Sequence, residues 1–195
     1  MSTLQIFGYL AALLSIFAVL PYIRDILKGK TKPERASWFI WTVLGSIAFF
    51  SQLAKGATNS LWMVGVSTLC VLIVSILSIK FGSGGFVKRD KISLVIAAIG
   101  ILLWFFTKEA AIALYITIFI DLIGSFLTVV KSYEDPESET ISTWIIACIS
   151  GIFAALSVGE WSFILLVYPL YIFLANFSVV VAILLGKARK QYPIA

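Results

Sequence analysis

Apolar residues run along the chain in seven long stretches separated by short polar breaks, at about 4–24, 36–55, 59–80, 91–107, 110–131, 140–159 and 161–186. A helix needs roughly 20 such residues to cross a hydrocarbon core of about 30 Å, so each stretch predicts a transmembrane helix. The weakest break is FFTKEAAIA (105–113), where reading through Lys108 and Glu109 would merge two spans and leave six. Charge decides for seven. With seven spans, Arg24, Lys28, Lys30, Lys32, Arg35, Lys80, Lys88, Arg89, Lys91, Lys131, Lys187, Arg189 and Lys190 share one side, and only Lys55 and Lys108 face the other. Merging would send Lys131 and the C-terminal cations across. The reading is an all-α polytopic membrane protein with its N-terminus outside and its C-terminus cytoplasmic, placed in the plasma (inner) membrane.

Composition agrees. The 195 residues are 61% hydrophobic and 13% charged, against roughly 45–50% and 25% in soluble domains, and the mean hydropathy is +1.03. The net charge of +5 resides in short loops between apolar runs. That pattern orients helices in lipid rather than forming a polyanion-binding face, so the lipid bilayer is the expected partner and nucleic acid is not. The first run lacks a basic leader and is followed by Arg24 and Lys28 instead of a small-residue cleavage site, so it reads as a span. Cys70 and Cys148 fall inside predicted helices and read as small apolar fillers.

An internal repeat appears at an offset of 106 residues, where SWFIWTVLGSIA (37–48) lies over TWIIACISGIFA (143–154). Trp38, Ile40, Gly45 and Ala48 fall on Trp144, Ile146, Gly151 and Ala154. The repeat makes spans 1–3 (1–81) and 5–7 (109–195) two three-helix units. Three is odd, so a single fourth helix between them (82–108, with its linker) leaves the units parallel. Transporters built from such repeats bind their substrate near the bilayer midplane, between the halves. In the linker, FGSGGFVKRDK (81–91), the glycines lack the Gly-Lys-Ser/Thr of a phosphate loop and read as a flexible joint.

A 3+1+3 layout, a proline at the inner end of the first helix (LPYIRDILKGKT, 20–31) and tryptophans on the second and sixth helices resemble the PQ-loop and SWEET sugar-transporter group, to which the KDEL receptors are also similar. The resemblance implies alternating access around a polar pocket. SWEET-type sites use an Asn on the third helix of each unit. The resemblance carries that role to Asn176 in the seventh span, with Ser67, Thr68 or Cys70 available in the third.

Candidate chemistry centres on IFIDLIGSF (118–126). Helical spacing sets Thr117, Asp121, Gly124, Ser125 and Thr128 on one stripe, so Asp121 is expected to face protein or water. An acid at mid-span costs on the order of 2.5–3.5 kcal/mol on insertion scales and needs a partner, a proton or a task. Asn176, Ser15, Ser46, Thr68 and Ser150 fall near the same depth. Two readings stand. In one, Asp121 titrates in a solute or proton site, with Asn176 and the hydroxyls supplying directional hydrogen bonds. In the other it stays protonated and holds two helices together at about 0.6–2 kcal/mol per bond.

Trp62, Trp104, Trp161 and Trp41 read as an aromatic belt, and the repeat makes Trp38 and Trp144 candidates for walls of a permeation path. Pro21 and Pro169 are candidate hinges, since each removes a helical hydrogen bond. The basic 24–35 loop and the acidic YEDPESE (133–139) at equivalent positions suggest an inner gate closed by pairing. With no histidine in the chain, Ser-His-Asp and Cys-His sites and histidine metal sites are impossible, and no enzyme, metal or cofactor is expected. The expected function is a small-solute transporter, for a sugar or another small polar metabolite, with proton coupling through Asp121. The alternative is a receptor or sensor on the same architecture.

Overall fold

A computed structural model describes residues 2–54, 59–85, 88–106, 110–158 and 163–191. Among the described residues there are seven α-helices and no strand: α1 (Thr3–Leu27), α2 (Arg35–Ala54), α3 (Asn59–Phe81), α4 (Lys88–Phe106), α5 (Ala110–Glu134), α6 (Ile141–Ser157) and α7 (Phe163–Gln191), with one 3₁₀ turn at Pro136–Ser138. The expected break falls on residues 107–109, between α4 and α5, and these lie outside the described residues.

Local chemistry sets the ends. Ser2 and Gln5 form a reciprocal capping box that opens α1. The helix closes where Gly29 turns to φ +70°, which costs glycine no Cβ clash, and where the Lys28 and Gly29 amides bond back to Arg24 and Ile26. Pro21 and Pro169 lie inside α1 and α7, and both helices run through them unbroken.

The chain packs as two compact units. One comprises residues 1–31 and 128–195, the other 32–127. This division cuts across the sequence-order halves 1–81 and 109–195, because α6 packs along both α1 and α7, while α2 packs against α3 and α4.

In the first unit, α1 buries Ala11, Ala18, Tyr22 and Ile26 and turns Leu13, Phe17 and Leu20 outward. The Ser150 hydroxyl of α6 donates to the Ala11 carbonyl at 2.7 Å. The rings of Phe7 and Phe153 meet at 5.7 Å. Gly151 admits α7 so closely that a Cβ there would stand 3.0 Å from the Phe173 backbone.

In the second unit, Ile40 and Ile120 form a buried centre joined by Leu44, Leu94, Ile116 and Ile123. Gly45 packs on Thr68, the counterpart, one residue out of step, of the Gly151–Phe173 contact. Phe119, Leu122 and Phe126 of α5 face outward. Large apolar side chains are exposed on every helix, where a water-soluble surface would carry polar ones. Two helical segments, Thr3–Leu27 and Pro169–Gln191, are long and apolar enough to cross a bilayer.

Candidate solute and proton site

Asp121 sits near the middle of α5, about 17 Å from its start and 20 Å from its end at 1.5 Å per residue. It is half-buried and accepts a hydrogen bond from Ser125 at 3.3 Å, one turn on. Gly124, Ser125 and Thr128 of the predicted stripe are buried, whereas the Thr117 side chain lies outside the described residues. Ile120, placed by spacing away from that stripe, is buried too and belongs to the apolar core of its unit. Gly124 leaves room for the indole of Trp41, whose Nε1 would lie 3.1 Å from a Cβ there.

The other expected site residues make local contacts. Asn176 is half-buried and donates to the Ile172 carbonyl at 2.7 Å, within α7. It belongs to the first unit and Asp121 to the second. Ser15 is exposed and donates back to Ala12 at 2.8 Å. Ser150 is buried against Ala11, Ser46 donates to Thr42, and Thr68 faces Gly45. Trp38 and Trp144 are both buried, Trp38 edge-on to Trp41 at 5.1 Å and Trp144 edge-on to Tyr22 at 6.0 Å. The side chains of Trp62, Trp104 and Trp161 lie outside the described residues.

Sequence spacing missed two buried carboxylates, one at the start of each Trp-bearing helix. In the first unit Glu139, just ahead of α6, accepts from the Lys131 ammonium at 2.6 Å, the Tyr22 hydroxyl at 3.1 Å and the Trp144 indole at 2.9 Å. Its side chain is fully buried and that of Lys131 nearly so. Beside it Thr140 donates to Asp25 at 3.1 Å and shares a hydrogen bond with Thr31. The carboxylate thereby draws together the ends of α1 and α5 and the start of α6. The acidic segment takes cations from α5 and α7, Lys131 for Glu139 and Lys190 for Asp135 at 3.4 Å.

In the second unit Glu34 stands just before α2. Its Oε2 accepts from the Ser37 amide at 2.6 Å, a side-chain cap on the new helix. Pro33, Arg35 and Ser83 form a short parallel bridge: the Ser83 amide donates to Pro33 at 2.9 Å and the Arg35 amide to Ser83 at 3.0 Å. The Arg35 guanidinium donates to the Ser78 and Gly84 carbonyls at 2.9 Å each. The glycines expected to form a flexible joint are instead pinned. Gly84 and Gly85 adopt φ +69° and +91°, and a Cβ on Gly84 would strike Glu34 Oε1 and approach Asp90 Oδ2. Gly85 donates its amide to Asp90. Burial pushes the Glu34 carboxyl above its ordinary range and the Asp90 charge adds to the rise, while the Ser37 hydrogen bonds pull the other way.

The signal that would have found both acids is their register. Each precedes a repeated tryptophan by four or five residues, Glu34 before Trp38 and Glu139 before Trp144. No family model, curated protein or solved structure matches the chain.

Proposed function

We propose that the chain is a seven-span membrane protein of the PQ-loop and SWEET-like kind, N-terminus outside and C-terminus cytoplasmic, that carries a small polar solute through the plasma membrane. The observation that carries this reading is Asp121: a half-buried carboxylate midway along a helix whose outward face is Phe119, Leu122 and Phe126. An ionisable group at that depth marks a solute or proton path in membrane proteins, because a neutral Asn or Ser would join helices at lower insertion cost. The matched glycine contacts, Gly45 on α3 and Gly151 on α7, support two copies of one helical module. In such repeats the solute binds near the bilayer midplane and the modules rock about it.

The test is reconstitution into liposomes with a panel of sugars, amino acids and vitamins, with and without a pH gradient. Flux of one solute class that follows the gradient and is lost in Asp121→Asn is the expected result. Flux unchanged in that variant removes Asp121 from the mechanism, and tight binding without flux turns the reading into a receptor.

A further inference from the structure

Each Trp-bearing helix packs on the first helix of the other repeat half: α6 on α1, and α2 on α5, where Ile40 meets Ile120. At the repeat offset of 106 residues these are equivalent pairs, for α1 falls on α5 and α2 on α6. Burial follows the equivalence. Ala18, Tyr22 and Ile26 fall on Gly124, Thr128 and Ser132, and all six are buried.

One hydrogen bond breaks the match. The Ser37 hydroxyl oxygen of α2 lies 2.6 Å from the Gly124 carbonyl oxygen of α5 and 2.9 Å from Glu34 Oε2, and the shorter contact takes its hydrogen. The counterparts of Ser37 and Gly124 are Thr143 and Ala18. Both are buried, yet the Thr143 hydroxyl has no hydrogen-bond partner among the described residues. Its own helix does not take it up, as α2 does for Thr42 and Ser46 and α7 for Ser178. The register for a bond across the helices is nevertheless in place. Ser150 reaches the Ala11 carbonyl at 2.7 Å, and α1 and α6 run antiparallel, with Phe7 against Phe153 on one side of that bond and Tyr22 against Glu139 on the other. Two turns inward from Ser150 and from Ala11, on the same faces, stand Thr143 and Ala18.

Two methyl groups account for the open rung. Threonine carries one more than serine and alanine one more than glycine, so the α1–α6 pair is held apart where the α2–α5 pair closes. Against them stands a buried hydroxyl that has lost its water and gained no partner. A crowded methyl and an orphaned hydroxyl cost comparable amounts, which sets two seatings of the helices close in energy. The α1 helix is also the more pliable of the two first helices. Pro21, one turn past Ala18, leaves the Phe17 carbonyl without its helical donor, whereas α5 has a buried Leu127 at that position.

We propose that Thr143 and the Ala18 carbonyl are the two halves of a latch, open in this structure, and that α1 has a second, closer seating on α6 in which the hydroxyl donates to that carbonyl as Ser37 does to Gly124. Closing draws the segment of α1 around Pro21 onto α6, and no covalent bond changes. The latch is a different site from Asp121 and stands whether or not the chain moves a solute.

The experiment measures distances by electron spin resonance on the full chain in nanodiscs, with spin labels carried on unnatural amino acids at Leu20 of α1 and Ile145 of α6, both exposed. The equivalent positions Phe126 and Phe39, exposed on α5 and α2, are the control. The wild-type chain should give two distances for the first pair and one for the second. Ala18→Gly should raise the ratio of short to long about tenfold, the effect of one hydrogen bond gained. Thr143→Val keeps the shape but has no hydroxyl, so it should empty the short distance, alone and combined with Ala18→Gly. Being nearly isosteric, it decides the matter if the glycine variant does not fold. A distance distribution that Thr143→Val leaves unchanged in every background that folds overturns the proposal. So does an equal spread in the control pair.

Discussion

Removing the ammonium from the Glu139 cluster gives the sharpest test of how the first unit is held. In Lys131→Met the apolar stem remains, but the carboxylate, fully buried, keeps only the Tyr22 and Trp144 donors. A buried ion left without its partner costs about 3–5 kcal/mol, several times an exposed pair. Glu139→Gln strands the charge of Lys131, which retains the Ser138 carbonyl at 3.1 Å, and its cost should be similar. The double variant Lys131→Met/Glu139→Gln removes both charges together, so it should be less harmful than the sum of the singles by about 1–3 kcal/mol. Denaturant titration of the purified chain in one detergent, followed by tryptophan fluorescence, measures all four corners of the cycle. Single costs below about 1 kcal/mol that simply add would refute the argument, since an interaction so weak belongs to a solvated surface pair.

The matched glycines should respond unequally. Gly151→Ala drives a methyl against the α7 backbone at Phe173 and should cost about 1–3 kcal/mol, whereas Gly45→Ala meets the Thr68 side chain, which can rotate, and should cost clearly less; the same titration ranks them. The raised Glu34 carboxyl predicts a pH dependence of stability. The folded chain holds its proton more tightly than the unfolded one, so this contribution is present at low pH and fades as pH climbs from about 4.5 through the higher folded value. Between those two values the wild-type chain should therefore lose stability with rising pH while Glu34→Gln stays flatter, and above them the two profiles should run parallel. In the flux assay, Asp121→Asn should abolish dependence on the proton gradient without lowering the unfolding midpoint, because an amide oxygen still accepts from Ser125.

The helices were largely legible from hydrophobicity alone. All seven lie within a few residues of the runs counted along the chain, while the residues of the expected break near Lys108 lie outside the described ones. Periodicity names the face a helix buries but not the helix it buries it against, so the packing of α6 on both α1 and α7 had no sequence signature. Asp121 stood out because everything around it is apolar. Glu34, Asp90 and Glu139 did not, for acids between spans look solvated, and their burial depends on Gly84, Tyr22 and Lys131 converging from distant segments. The glycine-rich stretch misled for the same reason: residues suited to a loose joint are also those that let backbone and carboxylates approach closely.

The bond from Ser150 to Ala11 joins residues 139 positions apart in the chain. At 5–20 residues per second, a ribosome needs on the order of ten seconds to make the stretch between them. If the chain enters a bilayer as proposed, the first helix spends that interval without the neighbour its small-residue face is shaped for. Its early lodging therefore depends on lipid, or on the insertion machinery, until the second half of the polypeptide is delivered.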